Sequence, residues 1–289
     1  MRLGTRPLAA FWLLLLASLT PAQERLRDVI YLKAGGCAYT MDVFKPATPN
    51  HAAVIFLVSG GWFSSHDNIN PEVAKPFTDA GFTVFEVVHG SQPKFVMPEI
   101  VGQLQHALRF IHSHGADYGV DPNRLGLFGA SAGGHLTLLL SGTSDAGNPD
   151  AKNPVDRAPD SVACAVAFYP PTDFKNWGGP GISSFHVPQL GIFMPAFGVN
   201  PATPEDAITK LDASFSPIHH VTSSFPPTLL LHGDEDALVP VQQSKVMDAE
   251  LTARGVVHEL VIVPHGKHDI PTFLGGLPAA LKWFQEHLK

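Results

Sequence analysis

The hexapeptide Gly129-Ala130-Ser131-Ala132-Gly133-Gly134 constrains this chain more than any other stretch. Before it, residues 124–128 (Arg-Leu-Gly-Leu-Phe) read as a short buried strand. After it, residues 135–140 (His-Leu-Thr-Leu-Leu-Leu) begin a helix. A G-x-S-x-G between strand and helix lets the backbone reverse sharply with a serine at the strained apex, because its neighbours are too small to obstruct the turn. The Ser131 hydroxyl is then held clear of the main chain. The first N–H groups of the following helix, Ala132 above all, have no intrahelical acceptor and point towards whatever that hydroxyl attacks.

The rest of the chain supplies the layers such a turn needs. At 289 residues, 45% hydrophobic and 16% charged, it is long and apolar enough for one large α/β core. Strand signals fall at residues 28–32 and 38–44, turned at Lys33-Ala34-Gly35-Gly36, and then at 52–58, 82–88, 162–169, 228–232 and 258–263. Helical patterns fall at 72–80, 98–114, 241–254 and the C-terminus. Buried strands alternating with amphipathic helices specify α/β: a mostly parallel central sheet with helices on both faces and its ligand site at the carboxyl ends of the strands. Residues 145–159, rich in Pro, Asp and Asn, read as a surface loop. Residues 170–217 form a longer irregular stretch carrying Phe185, Ile192, Phe193, Met194 and Phe197; it reads as a cap over the site or as a loop packed on the core.

Residues 1–22 are of another kind. Arg2 and Arg6 precede an apolar block at 8–19 and the small residues before Gln23, which is the pattern of a cleaved signal peptide. The expectation is export, to periplasm or medium, with residues 23–289 as the mature domain and no stable membrane insertion after cleavage. The formal charge of −7, without long runs of one sign, argues against nucleic acid as a partner. Cys37 and Cys164 read as free thiols, Cys164 lying within a buried strand.

A serine hydroxyl needs a base, and the base needs an orienting acid. After the strand at 228–232 comes Gly233-Asp234-Glu235-Asp236, and after the next comes His265-Gly266-Lys267-His268. The order serine, acid, histidine at successive strand ends matches the elbow topology. Asp236 and His268 are the preferred partners of Ser131, with Asp234 as rival acid and His265 as rival base. The loop Ser59-Gly60-Gly61-Trp62 offers backbone without bulky side chains and, with the Ala132 N–H, would complete an oxyanion hole. Trp62 reads as a substrate-binding wall or as core packing. His112, His114, His219, His220, His265 and His268 raise metal hydrolysis as an alternative, but pairs of histidines do not supply the three or four convergent ligands a metal needs, so no metal or cofactor is expected.

Together these motifs, with Asp121-Pro122-Asn123-Arg124 before the elbow strand and His135 after it, resemble the α/β-hydrolase fold. Within it they resemble the carboxylesterases related to hormone-sensitive lipase and to the acetyl-xylan and feruloyl esterases. The resemblance covers roughly residues 28–289. It implies a serine hydrolase acting on small-molecule or polysaccharide esters, with Ser131 as nucleophile, Asp236 as acid, His268 as base, and Gly60, Gly61 and Ala132 as oxyanion donors. Two enzyme-class and binding-class alternatives are a peptidase like the catalytic domains of prolyl oligopeptidases and an inactive binding protein of the same fold. The sequence departs from the family where Val58-Ser59 replace the usual His-Gly of the oxyanion motif, where Val88-His89 replace a tyrosine-arginine pair, and where Gln103 stands in place of an aspartate.

Overall fold

The computed structural model describes residues 24–289; the signal-peptide expectation for residues 1–22 lies outside them. Eight strands form one sheet in the order β1-β2-β4-β3-β5-β6-β7-β8. They are β1 (Glu24–Ala34), β2 (Cys37–Lys45), β3 (Ala53–Val58), β4 (Thr83–Val88), β5 (Leu125–Ala130), β6 (Cys164–Phe168), β7 (Thr228–Gly233) and β8 (His258–Val263). The β1–β2 and β2–β4 pairs are antiparallel, and β4, β3, β5, β6, β7 and β8 run parallel. Among the described residues six α-helices accompany them: α1 (Pro71–Asp79), α2 (Met97–His114), α3 (Ala132–Thr143), α4 (Glu205–Phe215), α5 (Gln242–Ala253) and α6 (Ile270–His287).

The continuous apolar run of β3 explains how the layers form. A strand alternates its side chains between faces, so a strand with no polar positions must be covered twice. Ala53, Ile55 and Leu57 pack with α2 residues such as Ile100 and Leu104 and α3 residues such as Leu136. Val54, Phe56 and Val58 pack with α1 residues Val73 and Phe77 and α6 residues Leu277 and Phe284. The helices thus sit on both faces, as the alternation of signals predicts.

Residues 170–217 differ from the expectation of a wholly irregular stretch. They contain α4, whose buried Ile208 and Asp212 lie one turn apart, as well as a run of 3₁₀ turns over Pro188–Phe197. Pro201 and Pro204 just before α4 obscure its periodicity in the sequence. Phe174, Phe185, Leu190, Met194 and Phe197 join the same core as β3, α2 and Trp62. The segment is therefore a strap fused to the core at the carboxyl end of the sheet. Cys37 and Cys164 are both free.

Glu86 on β4 is inaccessible to solvent; its Oε2 accepts the Asn70 N–H at 2.8 Å, and its Oε1 has no hydrogen-bond partner among the described residues. Burial pushes this carboxyl from 4.5 up to about 8, against the opposing Asn70 N–H bond. His89 and His135 are buried too, and burial lowers each from 6.5 to about 4, against the carbonyls that accept their ring N–H groups.

These shifts predict opposite pH dependences. Glu86 titrates higher in the folded chain than in the unfolded one, so its contribution is intact below about 4.5 and is lost as pH rises towards 8. Glu86→Gln is expected to raise Tm, by an amount equivalent to a few kcal/mol at pH 8 and much less at pH 5. The two histidines titrate lower in the folded chain, so the unfolded state takes up protons first and stability falls between about pH 6.5 and pH 4. Thermal melts across that range should show Tm dropping in acid, and His135→Phe should flatten the drop. An acid drop of the same size in His135→Phe, or a Glu86→Gln effect as large at about pH 5 as at about pH 8, would contradict the corresponding assignment.

Candidate active site

Ser131 stands between β5 and α3 with φ 55° and ψ −120°, a conformation rarely occupied by a non-glycine residue. It is held there from several sides. The Ser131 N–H donates to Phe168 O at 2.9 Å, and Ser131 O accepts the His135 N–H at 2.9 Å as α3 begins. The chain before and after the apex passes so closely that a Cβ on Gly129 would fall 2.4 Å from the Gly133 carbonyl carbon. Only glycine at 129 permits that approach.

The preferred base and acid converge on this serine. His268 Nε2 lies 2.8 Å from Ser131 Oγ, and His268 Nδ1 lies 2.7 Å from Asp236 Oδ2. With Nδ1–H donating to the carboxylate, Nε2 is left to accept the serine proton. His268 immediately precedes Asp269, the N-cap of α6, which accepts the Thr272 N–H at 2.9 Å, and the His268 ring packs on Tyr169 with centroids 4.4 Å apart. Asp236, its side chain fully buried, accepts the Leu238 and Val239 N–H groups at 2.9 and 2.8 Å on Oδ1. Its Oδ2 also lies 3.3 Å from His232 Nε2. Burial by itself would push this carboxyl up, but the hydrogen bonds from His232 and His268, the nearby His268 charge and the Val239 N–H together hold it well below the usual carboxylate range.

The rivals are engaged elsewhere. Asp234 Oδ1 accepts the His265 N–H at 2.6 Å, and His265 Nδ1 lies 2.7 Å from Glu235 Oε1 on the exposed outer side of the same loops. They staple the acid loop to the histidine loop. The other histidines considered as metal ligands are dispersed: His112 bonds Ser161 O, His114 bonds Phe110 O and His220 bonds Ser214 O. Among the described residues, no three His, Cys, Asp or Glu side chains are grouped so as to hold a metal.

Ser59-Gly60-Gly61-Trp62 turns back on itself beside Ser131. Gly60 N–H donates to Phe63 O and Phe63 N–H to Gly60 O, both at 2.9 Å, with φ of 57° at Gly61 and 60° at Trp62, the signs of a type I′ turn. The expectation for the donors is thereby corrected at one residue. Gly60 N–H is spent on its own turn, whereas Gly61 N–H has no partner among the described residues and Gly61 lines the space in front of Ser131 with Ala132.

The departures at Ser59, His89 and Gln103 meet in one network. Ser59 Oγ lies 2.8 Å from His89 Nε2, while His89 Nδ1 lies 2.8 Å from Gly90 O, and Gln103 Oε1 accepts the Gly90 N–H at 2.7 Å. Ser64 adds a further tie, donating to Val58 O and accepting the His89 N–H. The Ser59–Phe63 turn is thus braced from β4 and α2. Trp62 is buried in the core and lines the pocket, its Nε1–H donating to His135 Nδ1 at 3.1 Å while His135 Nε2 lies 2.7 Å from Phe215 O.

Sequence reasoning passed over His232, Tyr169 and the anchoring role of His135. Their signal is weak because each acts on a partner distant in sequence. His232 alone carries a local hint, four residues before Asp236 in the same strand-end loop.

Residues 41–251 match the family model described as BD-FAE. Among curated proteins, the chain is 29% identical over 196 residues to the "Probable carboxylic ester hydrolase LipM" of Mycobacterium tuberculosis, covering 67% of this chain and 43% of that protein. It is 26% identical over 229 residues to the esterase LipQ of the same organism, covering 76% and 51%. The chain therefore spans about half the length of these relatives. A solved structure, the acetyl ester-xyloside bifunctional hydrolase of Caldicellulosiruptor lactoaceticus, superposes with a TM-score of 0.75 at 24% identity, covering 93% of this chain and 98% of that one, which shows a common α/β-hydrolase fold. With most of its length from β2 to α5 matched by one model, and with that fold around the elbow, this chain belongs to the BD-FAE family.

Proposed function

We propose that the protein is an exported carboxylic ester hydrolase that works through a Ser131-His268-Asp236 triad and an acyl-enzyme. The observation that carries this reading is the unbroken chain of contacts from Ser131 Oγ to His268 Nε2 at 2.8 Å and from His268 Nδ1 to Asp236 Oδ2 at 2.7 Å, at the mouth of a cleft. Relatives described as ester hydrolases support it, and residues 1–22 support export.

In this mechanism His268 takes the Ser131 proton as Oγ attacks the ester carbonyl carbon. The negative charge that develops on the carbonyl oxygen is met by the N–H groups of Gly61 and Ala132, already in place before the reaction. Asp236, ionised because its hydrogen-bond donors outweigh its burial, stabilises the imidazolium and fixes its tautomer. His268 then gives the proton to the departing alkoxide, which leaves as the alcohol, with the acyl group on Ser131. A water, deprotonated by the same histidine, cleaves the acyl-serine and restores the enzyme.

The space around Ser131 suits a large alcohol. A cleft of about 800 Å³ opens on the His268 side, with Asp67, Asn68, Asn70 and Asp269 on its walls. Such polar side chains match the hydroxyls of a sugar, so a carbohydrate or other polyhydroxy ester is the proposed substrate class, whether polymeric or small.

Hydrolysis of p-nitrophenyl acetate by residues 23–289 tests this directly. Ser131→Ala should abolish turnover, and activity surviving in that variant would sink the assignment. Asp236→Asn should fold normally and lose about three to four orders of magnitude in kcat, while Asp234→Asn should stay within a few-fold of the parent; the reverse result would exchange their roles. A chelator should leave turnover unchanged. N-terminal sequencing of the protein recovered outside the cytoplasm should begin at Gln23.

A further inference from the structure

Two spaces of different character meet at Ser131. One is the wide cleft of about 800 Å³. The other, behind Gly61 and Ala132, is an apolar cavity of about 30 Å³ walled by Trp62, Phe174 and Met194 among others, room for about two water molecules. The residues that border both are Gly61, Ser131, Leu238 and Phe193. Phe193 is the only aromatic side chain among the four.

Its ring is fitted closely to the oxyanion turn. A Cβ on Gly61 would lie 2.5 Å from Phe193 Cε1, and the ring meets Trp62 at an interplanar angle of 73° with centroids 6.2 Å apart. The backbone carrying it is tied to the same turn, since the Gln92 side-chain amide donates to Gly61 O at 2.9 Å and lies 3.3 Å from Ile192 O. Gln92 is itself buried. Phe193 thus belongs to the strap by sequence and to the oxyanion turn by contact.

We propose that Phe193 is the residue that sets acyl length: its ring partitions the small cavity from the open cleft, so that an acetyl-sized group fits behind Ser131 and a longer chain meets the ring. It is half-buried and flanked by the strongly exposed Ile192. Added methylenes can be accommodated there only by displacing the ring or the turn it touches, and an overfilled apolar site typically loses about 10-fold or more in kcat/KM for each misfit. The inference rests on the ester-hydrolase reading of Ser131.

The test is a series of p-nitrophenyl acetate, butyrate and hexanoate with the wild type and Phe193→Ala, Phe193→Leu and Phe193→Trp. Wild type should prefer acetate over hexanoate by at least about 10-fold in kcat/KM. Phe193→Ala should reduce that preference by about 10-fold or more, chiefly by raising hexanoate turnover; Phe193→Leu should fall between, and Phe193→Trp should steepen the preference. The opposite displacements by Leu and Trp separate a steric partition from a loosened strap, even if the alanine variant proves unstable. Equal ratios in all four proteins, or a wild type that takes hexanoate as readily as acetate, would overturn the role of Phe193 while leaving the esterase reading intact. If no ester in the series is hydrolysed, the reading of Ser131 fails and the partition falls with it.

Discussion

The strained backbone of Ser131 is the constraint on which the rest depends. A non-glycine residue at φ 55° and ψ −120° costs about 1–3 kcal/mol and persists only where its surroundings leave no alternative. Here the surroundings are the body of the sheet: β6 accepts the Ser131 N–H, α3 starts directly from the apex, and Gly129 and Gly133 touch backbone to backbone beneath it. The parallel core covered on both faces is what makes this junction rigid. In return, the hydroxyl and the free N–H of the next helix are delivered to the same point in space.

The histidine and the acid reach that point by different means. His268 is placed by the start of α6 and by the ring of Tyr169, Asp236 by a tight loop whose own amides bind it. His232, completely buried, reaches Asp236 from within β7 and is fixed by Ser244 on α5 and by Val239 O. Asp236 is thus also held by a buried polar group, His232, that does not line the cleft. Such buried polar contacts are costly when incomplete, which ties the geometry of the site to the integrity of the fold.

The turn at residues 59–63 is tied into the fold in a similar way. Trp62 joins the hydrophobic core through Phe174 and Phe197, and through His135 it is linked to the carbonyl at the end of α4. The strap that supplies these rings also supplies the walls of the small cavity. Core packing and pocket shape are here one set of contacts, so a substitution in the strap that alters packing alters the pocket with it.

Much of this was legible in the chain itself. Uninterrupted apolar strands, amphipathic helices and the G-x-S-x-G between them dictate a two-sided parallel sheet with a serine at a strand end, because alternation and glycine tolerance act over neighbouring residues. Ser131 could be selected at its strand end, and Asp236 and His268 preferred to Asp234 and His265, on order and position in the loops. What local pattern could not decide was which of two carboxylates and two histidines turns inward, since Asp234 and His265 lie within three residues of their rivals and differ only in the direction their loops present them. Nor could it show that Gly60 spends its N–H inside its own turn, that Ser59 and His89, thirty residues apart, are hydrogen-bonded partners, or that Phe193 meets Gly61 across more than a hundred residues. Those outcomes depend on contacts between segments remote in sequence, and such contacts come into being only when the sheet, the helices and the strap are packed together.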